Sequence, residues 1–158
     1  MQPSIIVTVK QIKPVTVACL NMQGDIGRMP AAFKRLYTWI NEKGYKARGP
    51  AITVYHDIPG QVADDRLRWE IRSEISGDCK AMGPDEQGFG IRQTASIQAA
   101  TVRYRGPYEK MEETYQALTE WIPGNGYVIN GPVEELYYNN PGKPEELITE
   151  IRYPVTKK

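Results

Sequence analysis

The sequence predicts an α+β fold made of two strand-helix-strand-strand modules, related by an approximate twofold axis with a ligand groove between them. Three observations support this prediction: a long internal repeat, a helical stripe of apolar residues in each copy, and turn signals between the predicted strands. Residues 18–60 and 100–142 share many residues at a constant spacing of 82 positions. The shared positions include Gly24 with Gly106, Trp39 with Trp121, Gly49-Pro50 with Gly131-Pro132, Tyr55 with Tyr137, and Pro59-Gly60 with Pro141-Gly142. Two copies of this length indicate a duplicated half-domain rather than a solenoid.

Each copy opens with a predicted strand and continues with a predicted helix. Residues 14–20 and 97–103 are short runs rich in β-branched or small residues, which favours strands. Apolar residues then recur at helical spacing, and the pattern ends at Gly44 in the first copy and at Pro123 in the second. The stripes consist of Phe33, Leu36, Trp39 and Ile40, and of Met111, Tyr115, Leu118, Trp121 and Ile122.

Turn signals predict two further strands in each copy. The Gly-Pro pairs at 49–50 and 131–132 turn the chain into a second strand, and the Pro-Gly pairs at 59–60 and 141–142 turn it into a third. We therefore expect a single domain over residues 1–158. Its parts are repeat 1 at about 5–75, a Gly-, Asp- and Pro-rich joint at about 76–90, and repeat 2 at about 91–155.

Composition excludes several classes of protein. The 158 residues carry 20 basic and 19 acidic side chains, which argues against the positive surface of a nucleic-acid binder. No apolar run is long enough to span a membrane and the N-terminus lacks a secretion signal, so a cytoplasmic protein is expected. Cys19 and Cys79 are expected to be free thiols. The single histidine, His56, has no partner at ligand spacing, so no metal and no cofactor is expected.

Alternation along the second strand divides its side chains between two faces. In the first copy Ile52, Val54 and His56 share one face, and Thr53 and Tyr55 share the other. We expect the aliphatic face to meet the helix and the opposite face to line the groove.

The same alternation in the second copy places Glu135 and Tyr137 on the groove face and Glu134 on the other. The repeat matches Tyr137 with Tyr55, whereas Glu135 stands where the first copy has Thr53. A carboxylate in an aromatic groove requires a cation or a raised proton affinity, so Glu135 is the principal candidate for a functional residue. The alternative is a solvated surface charge, which is the commoner role of a glutamate on a half-exposed strand.

Aromatic residues and a methionine supply the remaining candidates for ligand contact. Trp69 has no aromatic counterpart, because Thr149 stands at the matching position. The other candidates occur at matched positions, and they are Tyr55, Tyr104, Met22, Trp39 and Trp121. A place in the core is an equally good interpretation for Tyr104 and Met22 and the commoner role for Trp39 and Trp121.

Several of these residues carry a resemblance to a known family. Residues 97–108, Trp121, Gly126, Gly131-Pro132, 135–137, 139–141 and 145–155 resemble the GyrI-like superfamily, also called the AraC-type effector-binding domain. The resemblance implies paired modules with a ligand in the groove between them. It also implies that Glu135 is the pocket glutamate.

The resemblance leaves three functions open. The first is binding of lipophilic, often cationic or aromatic small molecules with broad specificity, for sequestration or sensing. The second is hydrolysis of cyclopropane-containing genotoxins, with Glu135 and Tyr137 as the catalytic pair. The third is a gyrase-modulating protein-interaction domain, whose protein partner is unknown. Because no helix-turn-helix segment precedes the first predicted repeat strand, we expect a stand-alone domain without direct nucleic-acid binding and without a membrane partner.

Overall fold

The computed structural model describes residues 5–140 and 142–158, so Pro141 and the first four residues, named in the predictions above, lie outside the described residues. The described residues form nine strands and two α-helices. The strands are β1 (Thr8–Ile12), β2 (Thr16–Gln23), β3 (Lys46–Tyr55), β4 (Arg68–Ser76), β5 (Phe89–Gln93), β6 (Ile97–Arg105), β7 (Tyr127–Ile129), β8 (Val133–Tyr137) and β9 (Ile148–Lys157). The helices are α1 (Met29–Glu42) and α2 (Glu112–Gly124). Antiparallel strand pairs with two helices confirm the predicted α+β class.

The chain divides into two compact units. The N-unit is Pro14–Ala95, and the C-unit comprises residues 5–13 with Ser96–Lys158. Neither helix in the described part of the chain is long and apolar enough to cross a membrane.

The N-unit is a sheet with strand order β3-β4-β2-β5, covered on one face by α1. Pro30 lies in the first turn of α1, where its missing N–H is tolerated. Gly44, at a φ of +82°, follows the end of the helix as predicted. The helix and the sheet share one buried apolar core, which includes Leu20, Leu36, Ile40, Trp69, Ile71 and Phe89.

The predicted turn at Gly49-Pro50 is wrong, because both residues lie inside β3. Arg48 pairs with Glu74 and Ile52 pairs with Arg72, so extra residues of β3 bulge between these two positions. Gly49 has a φ of +68°, a conformation that residues with a Cβ rarely adopt. The glycine therefore permits the bulge within a continuous strand.

The predicted orientation of β3 relative to its helix is also wrong. Thr53 pairs with Ile71 of the core, and the Thr53 hydroxyl lies 3.4 Å from the Met29 sulfur of α1. Ile52 and Val54 instead pair with Arg72 and Glu70 on the opposite face. The division of side chains between two faces holds, but the helix covers the Thr53 face, because that face continues the apolar row of β4.

The C-unit has the strand order β1-β6-β9-β8, and β7 also pairs with β9. β1 lies within the predicted bounds of repeat 1 (about 5–75) but pairs with β6 of the C-unit, so that N-terminal bound is wrong, whereas β5, at the end of the predicted joint, pairs with β2. β1, β5 and β7 are strands that the sequence patterns did not predict. Pro123 lies in the last turn of α2, one residue before the helix ends.

Candidate functional site

Glu135 is a buried carboxylate on the sheet face that meets α2. It lies on β8 opposite Ile151 of β9, which is fully buried. The exposed fraction of Glu135 is 7%, although it carries an ionisable group. Tyr137, two positions later, faces the same way. The strand thus holds an acidic and a phenolic group side by side.

Both carboxylate oxygens of Glu135 accept hydrogen bonds from tyrosines. The Tyr137 hydroxyl donates to Oε1 at 2.8 Å, and the Tyr115 hydroxyl, from α2, donates to Oε2. Hydrogen bonds to an ionised acceptor are among the stronger ones in proteins, and they offset part of the free-energy cost of burying the carboxylate. Helix and strand are therefore joined through this side chain.

Two further tyrosines complete the surroundings of Glu135. The Tyr108 ring packs edge-on against Tyr137 at a centroid distance of 6.0 Å, and Tyr153 packs edge-on against Tyr115 at 6.3 Å. Burial, and then the negative charge of Glu135, raise the pKa of both Tyr108 and Tyr153. Both phenols therefore lie within the electrostatic reach of the carboxylate. We refer to Glu135 with Tyr108, Tyr115, Tyr137 and Tyr153 as the tyrosine–glutamate cluster.

The first repeat lacks most of this cluster. Thr53 takes the place of Glu135, and its hydroxyl lies against the Met29 sulfur. Phe33 takes the place of Tyr115 and Ile26 that of Tyr108. The first repeat keeps Tyr55 at the position of Tyr137, so the carboxylate and the hydroxyls of Tyr108 and Tyr115 are the groups found in the C-unit alone.

Four predicted contact residues lie in the N-unit core rather than at the cluster. Trp69 is 1% exposed, and its indole N–H donates to the Gly24 carbonyl at 3.0 Å. Trp39 is buried and stacks on Phe89 at 5.1 Å. Met22 and Tyr55 are partly buried against the same core.

The two remaining candidates belong to the C-unit. The Tyr104 hydroxyl donates to the Pro107 carbonyl at 2.7 Å, which holds this side chain beside the turn after β6. Trp121 stacks on Tyr127 at 6.1 Å near the end of α2. Among the predicted residues, Glu135 and Tyr137 are joined by a side-chain hydrogen bond, and Met22 and Tyr55 are the cross-strand partners of Trp69.

Sequence reasoning missed Tyr108, Tyr115 and Tyr153. Tyr115 belongs to the helical stripe of the second copy, where spacing alone does not distinguish it from a core residue. The repeat held a usable signal, because Phe33 gains a hydroxyl at Tyr115 in the same copy in which Thr53 is replaced by Glu135.

A threonine hydroxyl next to Tyr137 is buried without a hydrogen bond. Thr149 lies on β9 directly opposite Tyr137 and is fully buried. Its Oγ1 has no hydrogen-bond partner among the described residues. In the first repeat the corresponding residue is Trp69, whose N–H is satisfied by Gly24.

A family model matches nearly the whole chain. Residues 6–156 match the model of the GyrI-like small molecule binding domain. No curated protein sequence matches the chain.

Solved structures share the fold at low sequence identity. A cryo-EM complex of EcmrR with DNA matches 98% of this chain at 21% identity with a TM-score of 0.81, and the chain spans 58% of that EcmrR chain. The EcmrR C-terminal domain matches 98% of this chain and 99% of its own length at 22% identity, with a TM-score of 0.75.

Two further proteins have the same fold. A hydrolase from Listeria innocua matches 95% of this chain and 91% of its own at 14% identity, with a TM-score of 0.70. SAV2435 bound to tetraphenylphosphonium matches 96% of this chain and 94% of its own at 17% identity, with a TM-score of 0.60.

Proposed function

The chain belongs to the GyrI-like small molecule binding domain family, and we propose that its tyrosine–glutamate cluster binds lipophilic cationic or aromatic small molecules. The observation that carries this proposal is a 7%-exposed carboxylate with a tyrosine hydroxyl on each of its oxygens. Such binding suits sequestration or sensing. The groove between the two repeats, expected from the sequence, stays a prediction.

The chemistry of the cluster favours a cation over an anion or a neutral polar molecule. A cation gains from the negative charge of Glu135 and from the negative faces of the tyrosine rings, each contributing about 0.5–2 kcal/mol. An anion is repelled by Glu135. The rings also supply apolar surface, so a lipophilic cation is stabilised both by electrostatic attraction and by burial of its apolar groups.

One structural neighbour supports the same ligand class. SAV2435 is bound to tetraphenylphosphonium, which is a lipophilic cation. At 17% identity the likeness extends to the fold, so the residues of the cluster carry the proposal for this chain.

A calorimetric titration of the full chain tests the ligand class. We expect tetraphenylphosphonium to bind in about the micromolar range and triphenylphosphine oxide, a neutral aryl compound, to bind at least about tenfold more weakly. Equal affinities would contradict a role for the carboxylate in binding.

Hydrolysis is the second candidate function, because an acid-base pair is already in contact at the same place. The Tyr137 hydroxyl lies 2.8 Å from Glu135, so a carboxylate able to accept a proton from water adjoins a phenol able to donate one. The hydrolase from Listeria innocua shares the fold. Mass spectrometry of a cyclopropane-containing substrate after incubation distinguishes turnover from binding. Conversion by the wild type that Glu135→Gln abolishes would favour hydrolysis.

A further inference from the structure

A cavity lies in the C-unit beside the end of β1. β1 begins at Thr8, opposite Thr101 of β6, whereas β6 continues to Arg105 without a partner from β1. A cavity of about 630 Å³ opens there, a size typical of small-molecule sites. None of the residues that line it belongs to the tyrosine–glutamate cluster.

Three basic side chains line this cavity. They are Lys10 of β1 and Arg103 and Arg105 of β6. Strand register places them on one face, because Lys10 pairs with Ala99, and Ala99, Arg103 and Arg105 alternate in phase along β6. The side chains of Lys10 and Arg103 are 40% and 64% exposed, so their charged groups remain open to a ligand.

The acidic residue in the cavity wall does not balance these charges. Glu150 is buried, and its Oε2 lies 2.5 Å from Nε of Arg152, which supplies one full positive charge. Lys10 lies 3.2 Å from the other oxygen. With Glu150 already neutralised by Arg152, the Arg103 face of the cavity keeps a surplus of positive charge. The charges of Glu109 and Glu113 do not offset this surplus, because they act on Tyr104, on the other face of β6.

The two arginines hold donors available for a ligand. Arg103 lies 3.7 Å from Glu150, too far for a hydrogen bond, and its guanidinium stacks 4.6 Å from the centre of the Tyr138 ring. Stacking orients the planar guanidinium and leaves its edge donors free. The Arg105 side chain has no hydrogen-bond or ion-pair partner among residues 5–140 and 142–158.

The positive surplus is specific to this copy of the repeat. The first repeat has Asn21 at the position of Arg103 and Gln23 at the position of Arg105. Neutral residues are thus replaced by arginine at two alternate positions on one face of one strand.

We propose that this cavity binds an organic anion through Lys10, Arg103 and Arg105. The three cations bind a phosphate or carboxylate head group, whose oxygen atoms match the spacing of guanidinium donors. Ile5 and the exposed Ile6 line the same cavity and offer apolar surface to the body of the ligand. Glu135 is not among the residues that line this site, which binds ligands of the opposite charge.

Calorimetric titration of the full chain with 1-naphthyl phosphate tests this site. We expect binding at least about tenfold tighter than that of inorganic phosphate or of neutral 1-naphthol, because head group and body both contribute. Arg103→Gln and Arg105→Gln should each weaken binding on the order of tenfold. Arg66→Gln, the same charge change at an exposed position of the N-unit, should leave binding within about twofold.

Four results would overturn the proposal. They are no binding of 1-naphthyl phosphate, equal affinity for inorganic phosphate, an equal loss in Arg66→Gln, and weakened binding in Glu135→Gln. The last would place the anion at the tyrosine–glutamate cluster. Unchanged binding of 1-naphthyl phosphate to Glu135→Gln, together with loss of tetraphenylphosphonium binding, would show that the two sites are separate. The proposal of an anion site can thus be disproved while that of a cation site holds, and the cation site can be disproved while the anion site holds.

Discussion

Tyr115 of α2 donates a hydrogen bond to Glu135 of β8, which joins helix and sheet of the C-unit through a buried carboxylate. The first repeat has Phe33 and Thr53 at these positions, so the acid and its donor on the helix occur together in the second copy. A buried carboxylate without donors is costly, and a buried phenol without an acceptor is also costly.

We predict that Tyr115→Phe destabilises the protein although its ring is kept. The substitution removes one donor from a buried ionised acceptor, which should lower the free energy of unfolding by about 1.5–3 kcal/mol. Chemical denaturation followed by circular dichroism measures this difference. Tyr127→Phe is the matched control, since Tyr127 stacks on Trp121, and it should change stability by less than about 0.5 kcal/mol. Equal effects of the two substitutions would contradict the role given to Tyr115.

The sequence predicted the pairing of Glu135 with Tyr137, because alternation along a strand depends only on spacing. The sequence also identified Glu135 as a position at which the two copies differ in charge, because the first copy has Thr53 there. It could not predict that β1 pairs with β6, since local residue patterns do not specify which distant strand is the partner. Tyr115 escaped notice because an aromatic residue in an apolar helical stripe has the same pattern whether or not its hydroxyl is used. Trp69 lacks an aromatic counterpart because the matching residue is the small Thr149, and the structure places Trp69 in the N-unit core; its contact with a ligand stays a prediction.

We predict that Thr149→Val stabilises the protein. The Thr149 hydroxyl is buried and has no hydrogen-bond partner among the described residues, and valine has nearly the same shape. Removing the hydroxyl should raise the free energy of unfolding by about 1–2 kcal/mol, as measured by thermal denaturation. Thr101→Val is the control with the opposite sign, because the buried Thr101 hydroxyl donates to the Thr8 carbonyl at 3.0 Å. Destabilisation by both variants would show that Thr149 has a partner in solution.

The pH dependence of stability should depend on Glu70. Its carboxylate is buried, with Nε of Arg72 at 2.6 Å and Nη2 of Arg92 at 2.7 Å. Burial raises the pKa of Glu70, but the His56 hydrogen bond and the two guanidinium charges outweigh burial and lower the pKa to about 2. Because the pKa is lower in the folded than in the unfolded state, the stabilisation is complete above about pH 4.5. It is lost as the pH falls towards 2.

We therefore predict that protonation of Glu70 lowers the free energy of unfolding of the wild type by roughly 3 kcal/mol as the pH falls from about 4.5 to 2. In Glu70→Gln this part of the pH dependence should be absent, as measured by denaturation at a series of pH values. Asp57→Asn is the control, because Asp57 pairs with a solvent-exposed Arg68 and its effect on stability is screened. Asp57→Asn should keep this pH dependence. If Asp57→Asn removed more of it than Glu70→Gln does, the role given to Glu70 would be contradicted.

The most direct test of the central claim is a calorimetric titration of tetraphenylphosphonium into the wild type, Glu135→Gln and Glu134→Gln. The two glutamates are adjacent, but Glu135 pairs with Ile151 on the face of α2 whereas Glu134 pairs with Arg152 on the other face. The amide keeps the shape of the side chain and removes its charge. We predict that Glu135→Gln weakens binding by about 1–3 kcal/mol, tenfold or more in Kd, and that Glu134→Gln changes it by less than about 0.5 kcal/mol. Equal losses in the two variants, or undiminished binding in Glu135→Gln, would contradict the assignment of Glu135 as the counter-ion of the ligand.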